Sequence, residues 1–353
     1  MSQSPTRYDA LVFIGRFQPL HRGHLDVLRR ALDLSSQVFV LVGSANRPRT
    51  IKDPFSFDER RQMIESVLDA SERARVRIEP VQDSIYNDGD WLRRVQDAVS
   101  RSCAAADTRA DDSTRRHRIG LIGHEKDDSS QYLRMFPQWE RVEVPATEDI
   151  SATEIREQFF AERNNSFVTW AVSAPVNEWL HAFRGTAPFA QLKAEAEFIA
   201  GYRKAWAAAP YPVTFVTVDA VVVHSGHILL VRRRSEPGRG LWALPGGFLG
   251  QDERLETGCI RELREETGLK LPEPVIRGSL RDRQVFDHPD RSLRGRTITH
   301  AFLFSFAVGE LPRIKGGDDA DKARWVPLNT FAQMRDVMYE DHFDIAYHFL
   351  GKL

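Results

Sequence analysis

The stretch Gly247–Leu269, GFLGQDERLETGCIRELREETGL, decides how this chain is read. Its helical period predicts a helix over Leu255–Thr267, with Gly268 as the residue on which the chain turns left-handed. Glu262, Glu265 and Glu266 stand at i, i+3 and i+4, so three carboxylates share one face. Cys259, Ile260 and Leu263 lie about a third of a turn away and face a core. Three carboxylates alone would make a solvated acidic face relieved by Arg261 and Arg264. Here they belong to a longer spacing, G-x5-E-x7-R-E-U-x-E-E-x-G-U with U apolar, filled by Gly247, Glu253, Arg261, Glu262, Leu263, Glu265, Glu266, Gly268 and Leu269. Clustered carboxylates repel unless a cation sits among them, and hard oxygen donors suit Mg²⁺.

That pattern resembles the Nudix box. The resemblance implies hydrolysis of a nucleoside diphosphate linked to another group, with Mg²⁺ or Mn²⁺ as cofactor. It places the metal at Glu262, Glu265, Glu266 and Gly247. Glu262 and Glu266 are the expected ligands, Glu265 a third ligand or a base, and Glu253 a support or outer ligand. The general base stays open.

At 353 residues the chain exceeds one ordinary core, and two domains are expected. A charged fraction of 28% against 42% hydrophobic is that of a water-soluble fold. The net charge of −1 excludes a basic field for nucleic acid. No apolar run suits a membrane span or a leader, and two cysteines without metal spacing suit a reducing compartment. The cytoplasm is the expected location.

Outward from the box, the first half alternates apolar runs with amphipathic ones. Strands are expected at Ala10–Ile14, Val38–Val42, Val76–Pro80, Ile119–Ile122 and Arg141–Val144. Helices are expected at Gly23–Leu34, Phe57–Leu68, Trp91–Ser100 and Ala152–Phe160. This is α/β order: a doubly wound parallel sheet whose ligands sit beyond the carboxyl ends of its strands. The first such end carries Gly15-Arg16-Phe17-Gln18-Pro19-Leu20-His21-Arg22-Gly23-His24. Gly15 lets the backbone approach a ligand. His21 and His24 meet a helix opening, where N–H groups favour phosphate and imidazoles can donate to developing charge. The G-x-F-x-P-x-H-x-G-H array resembles the signature of the nucleotidylyltransferase superfamily, which joins a nucleotide to a phosphate-bearing acceptor and releases pyrophosphate. Ile150-Ser151-Ala152-Thr153-Glu154-Ile155-Arg156 resembles its second element, with Ala152 where the family has Ser. Ser151-x-x-Glu154 is also a capping box, and both uses can coexist.

Gly43-Ser44-Ala45, then Asp53-Pro54-Phe55-Ser56-Phe57-Asp58-Glu59-Arg60, Tyr86–Trp91 and Gly123-His124-Glu125-Lys126-Asp127 follow in order. Together they look like the archaeal-type nicotinamide mononucleotide adenylyltransferases, with Asp53 in place of the usual Asn. This resemblance implies His21, His24 and Arg156 at the phosphoryl centre. It implies Gly15, Arg16, Phe17, Ser151, Thr153 and Gly123 against ATP and phosphate, and Asn87 and Trp91 at nicotinamide mononucleotide. Trp91 opens a helix at the ligand edge, or completes that helix's buried face. Arg101–Arg118 has no apolar periodicity and reads as a mobile surface insertion.

The expected boundaries are an adenylyltransferase domain over 1–184, a linker helix over 185–210 and a Nudix α/β/α sandwich over 211–353. In the last, strands alternate around Asp287–Arg296, DHPDRSLRGR, which resembles the segment after the box in ADP-ribose pyrophosphatase-like Nudix proteins. The two resemblances imply ATP, nicotinamide mononucleotide, NAD and ADP-ribose as ligands. A Nudix half that only senses ADP-ribose or NAD, another phosphate-bearing acceptor, the amide or acid form of the mononucleotide, and a homo-oligomer all stay open.

Overall fold

A computed structural model gives the structure of residues 7–107, 117–124, 133–145, 150–306, 308–315 and 320–351. Two compact units divide between Lys193 and Ala194.

The N-terminal unit opens with β1 (Tyr8–Gly15), α1 (Arg22–Leu34), β2 (Ser35–Val42), α2 (Phe57–Ser66), α3 (Ala70–Arg73) and β3 (Val76–Pro80). It continues with α4 (Asp88–Asp107), β4 (Ile119–Gly123), β5 (Glu140–Glu143), α5 (Ala152–Phe160), α6 (Asn165–Ala171) and α7 (Ala174–Phe183). Helix α8 (Ala187–Trp206) carries the division between the units. The five strands are all parallel, in the order β3-β2-β1-β4-β5. Strand β1, YDALVFIG, is almost continuously apolar because helices cover both faces of a central parallel strand. Val12 pairs with Phe39 on one side and Leu121 on the other. The strand order reverses between β1 and β4, so a crevice opens at their carboxyl ends, where Gly15–His24 and Gly123–His124 lie.

Helix α4 corrects two expectations. It starts at Asp88, three residues before Trp91, because the Asn87 Oδ1 accepts the Asp90 N–H at 3.0 Å and caps it. It also runs on through Asp107, so the first residues of the expected insertion are helical. Ser102 is buried on it, and Cys103 packs on the cluster of Val95, Ala98 and Val99. The centre of that insertion, 108–116, and Glu125–Asp127 lie outside the described residues.

The C-terminal unit holds β6 (Thr214–His224), β7 (His227–Arg233), β8 (Trp242–Ala243), β9 (Gly246–Phe248), α9 (Leu255–Thr267) and α10 (Glu273–Gly278). After these come β10 (Leu280–Phe286), β11 (Arg296–Ser305), β12 (Ala320–Pro327), α11 (Leu328–Phe331) and α12 (His342–Leu350). The sheet is mixed: β10-β11-β6-β7-β12, with β8 on β7 and β9 on β6. Strands β6 and β7 turn at Ser225-Gly226, both at positive φ (46° and 72°), the tight hairpin whose twist matches its strands. Val218, Ala220 and Val222 of β6 meet Cys259, Ile260 and Leu263 of α9 on one face. Thr217 and Asp219 alternate to the other. Among the described residues no helix is long and apolar enough to cross a membrane.

One buried cation organises the N-terminal ligand edge. Arg60 is 1% exposed and donates to four backbone carbonyls: Ser56 (3.2 Å), Arg16 (2.8 Å), Gly43 (2.6 Å) and Ser44 (3.3 Å). Burial lowers its pKa to about 10, still far above neutrality. Arg60→Leu strips those carbonyls of their donor. It should destabilise the N-terminal unit by about 2–4 kcal/mol, read from its urea transition.

Candidate active sites

In the N-terminal crevice, Arg16 stands exposed at the end of β1 while Arg60 holds its carbonyl from below. The rings of His21 and His24 stack at 3.7 Å at the start of α1, and the His21 N–H donates to His24 Nδ1 at 3.4 Å. His124 bridges the Val144 carbonyl (2.6 Å) and the Gly23 carbonyl (3.2 Å), tying the β4 end to this helix. Two stacked imidazoles beside helix N–H groups form a donor cluster for a phosphoryl group. Ser44, at the end of β2, gives its N–H and hydroxyl to Asp83 at 3.1 and 2.7 Å.

Several expected contacts take other partners. Phe17 is 1% exposed at φ 52°, and its ring packs edge-on to His24 at 4.9 Å. A ring that apolar is drawn under the imidazole, and it supports His24. Gly123 is buried, and its carbonyl accepts the Val144 N–H at 3.1 Å. Arg156, 7% exposed, donates to the carbonyls of Gln18 (2.8 Å) and Ile51 (3.1 Å) and to the Thr153 hydroxyl (3.1 Å). Burial, then the nearby Arg16 charge, lowers its pKa to about 10. It is first of all a brace between α5 and the β1 loop. Ser151 precedes α5 without a side-chain cap bond, so the capping box does not form. Trp91 is half-buried, packed on the α4 cluster and 5.8 Å from the Phe136 ring.

The C-terminal site gathers where β9 crosses α9. Glu266 accepts the Gly246 N–H at 3.0 Å. Burial first, then the Glu262 and Asp219 charges, raises its pKa to about 8. Burial also raises Glu262. A Cβ on Gly247 would stand 2.6 Å from the Glu262 carboxyl, and one on Gly246 would stand 2.3 Å from the Val218 carbonyl. Only glycines let β9 lie this close. Glu265 departs from expectation. Its side chain is 51% exposed and bonds Arg261 at 2.9 Å, on the solvent rim. Arg261 also pairs with Glu262 (2.8 Å) and Glu253 (2.6 Å). Among the described residues no three carboxylate, imidazole or thiol groups form a ligand set. Two half-buried carboxylates with raised pKa values, against backbone bared by glycine, still fit a hard divalent cation. Such a cation would sit on Glu262 and Glu266.

Arg60, Gln18 and His124 lie inside motifs that sequence reading quotes without giving them a role, and Asp219 lies in none. Gln18 was legible as the polar position inside the first array; its amide bonds both the N–H and carbonyl of Phe55 at 2.9 and 3.0 Å. Asp219, 4% exposed, takes the Thr299 hydroxyl, and no motif marks it.

The raised pKa of Glu266 sets a pH test. The folded state holds this proton up to about pH 8, whereas the ordinary carboxyl value is 4.5. Stability from this group is therefore full below pH 4.5 and is lost as pH rises through 8. In metal-free protein, Glu266→Gln should be more stable than the parent by about 2–4 kcal/mol at pH 8. At pH 4.5 the two should match in thermal melts.

Comparison with known proteins follows the same division. The cytidylyltransferase-like family matches residues 12–158 and the NUDIX domain family residues 213–349. The nicotinamide/nicotinic acid mononucleotide adenylyltransferase of Acinetobacter baylyi is 40% identical over 155 residues, 44% of this chain and 77% of that protein. The ADP-ribose pyrophosphatase of Methanocaldococcus jannaschii is 38% identical over 119 residues, 34% of this chain and 65% of its own length. A Francisella tularensis bifunctional NMN adenylyltransferase/ADP ribose pyrophosphatase, crystallised with AMP and an Mn ion, matches with a TM-score of 0.88 and 38% identity. That match covers 98% of this chain and 99% of the other. With both units matched in order and over nearly their whole length, the chain belongs to the family of bifunctional NMN adenylyltransferase/ADP ribose pyrophosphatases.

Proposed function

We propose that this chain makes a nicotinamide dinucleotide in one unit and hydrolyses ADP-ribose in the other. The observation that carries the reading is one chain holding two separate phosphate chemistries. These are the stacked His21–His24 pair at a parallel-sheet switch point and the half-buried Glu262–Glu266 pair against Gly246-Gly247. We place the first activity in 1–184 and the second in 211–353, joined through the helix within 185–210.

In the N-terminal unit, a phosphate oxygen of the mononucleotide, in its amide or acid form, attacks the α-phosphorus of ATP. The bond to the bridging oxygen breaks and pyrophosphate leaves, with no covalent enzyme intermediate. His21, His24 and the first N–H groups of α1 donate to the charge that builds on the α-phosphoryl oxygens. Arg16, Ser151 and Thr153 receive the outgoing phosphates, with the Arg156 charge behind them. Asn87 and the outer face of Trp91 take the pyridine ring.

In the C-terminal unit, water attacks one phosphorus of ADP-ribose and the pyrophosphate bridge breaks, giving AMP and ribose 5-phosphate. Glu262 and Glu266 would hold a Mg²⁺ or Mn²⁺ ion as carboxylates, which when bound would supply positive charge and Lewis acidity. Glu253 fixes Arg261, and the Gly246 N–H aims Glu266. Both activities suit the cytoplasm, where ATP and free thiols persist.

His24→Ala should lower adenylyl-transfer turnover by about 10²–10³-fold and change ATP affinity much less, because the imidazole serves the transition state. Single-turnover kinetics at saturating ATP check it; unchanged turnover would make His24 a ground-state contact. Glu266→Gln should abolish ADP-ribose hydrolysis and leave dinucleotide synthesis intact, assayed on the same full-length preparation. Loss of both in folded protein would refute two independent sites.

A further inference from the structure

The segment 287–296 and the start of α12 lie outside the carboxylate chemistry, yet they hold the most deeply buried ion pair of the C-terminal unit among the described residues. Arg291 and Asp341 have side chains 2% and 1% exposed. The guanidinium grips the carboxylate with two parallel bonds, Nε to Oδ2 and Nη2 to Oδ1, both 2.9 Å. Such a pair is costly to desolvate, and its fixed fork is better suited to setting a position than to adding stability. What it positions is the next residue. His342 is 6% exposed, and its Nδ1 accepts the Leu244 N–H at 3.0 Å. That bond requires a bare Nδ1, hence the neutral tautomer protonated on Nε2.

Leu244 and Pro245 bridge two very short strands, β8 and β9, where ladder bonds are few. Pro245 has no N–H, and its carbonyl takes the Ala220 N–H at 2.8 Å. The Leu244 N–H is therefore the bridge's own donor, and His342 holds it. Two residues on, the Gly246 N–H meets Glu266.

We propose that Arg291, Asp341 and His342 are positioning residues of the hydrolytic centre: the buried clamp and its imidazole fix the Leu244–Gly247 backbone that aims Glu266. The kinetic consequence rests on the hydrolase reading above; the backbone consequence does not. Full-length His342→Ala, His342→Asn and Arg291→Lys decide both. Asn presents an amide oxygen near the place of Nδ1, and Lys keeps the charge of Arg291 but loses its fork. By hydrogen–deuterium exchange in metal-free protein, amides of 242–248 should exchange about ten-fold faster in His342→Ala and at the parent rate in His342→Asn. Hydrolysis of ADP-ribose should fall about 10–100-fold in kcat, with KM nearly constant, and recover in His342→Asn. Dinucleotide synthesis should not change. Arg291→Lys should move exchange and kcat the same way by less. Unchanged exchange in folded His342→Ala overturns the proposal, as does a loss that His342→Asn fails to restore. If His342→Ala does not fold, parent-like exchange in Arg291→Lys overturns it equally. A parent protein that leaves ADP-ribose intact would refute the hydrolase reading, and the exchange arm would still decide the positioning.

Discussion

A parallel sheet ends in a row of carbonyl oxygens that must be paired where ligands are to bind, and in the N-terminal unit a single buried guanidinium takes three of them just beyond β1 and β2. Arg60 reaches the ends of both β1 and β2, so the loop bearing Arg16 and the turn bearing Ser44 cannot move separately. Arg156 repeats the device on the other side, joining α5 to the first loop through Gln18. Both remain charged despite burial, because each guanidinium exchanges water for several carbonyl dipoles. The result is a rigid, positively biased rim around the stacked histidines, which suits a reaction whose substrates bring many negative charges to one place.

The C-terminal unit meets the opposite problem. There one half-buried carboxyl, Glu266, must be held beside a second, Glu262, and a backbone N–H is the bond it accepts. The raised pKa values are the mark of that burial. Around it the fold spends arginine twice: Arg261 at the rim among carboxylates, and Arg291 deep within, on Asp341.

Much of this was legible in the residues. Near-continuous apolar runs mark β1, β2 and β4, and the array Gly15–His24 follows the carboxyl end of β1 as its glycine and proline suggest. The carboxylate helix came out as Leu255–Thr267 with Gly268 left-handed at φ 60°. Helical spacing states which face a side chain leaves from, and Glu262, Glu265 and Glu266 do leave from one side of α9. It does not state which partner a side chain takes, and Arg261 takes Glu262 and Glu265 alike. The same limit hid every long-range brace: Arg156 and Gln18 are 138 positions apart, and Arg291 and Asp341 are 50 apart. Ser151 fits a capping formula that its hydroxyl does not follow. Trp91 was read at the mouth of a helix, and Asn87 had already capped that helix a turn earlier.

The fork of Arg261 among Glu253, Glu262 and Glu265 gives the hydrolytic helix its own built-in counter-ion. Like charges can then be assembled during folding before any metal arrives, so the polypeptide does not depend on ion supply to collapse. The three carboxylates divide one guanidinium among them, so a single side chain tethers the helix face to the loop that carries Glu253.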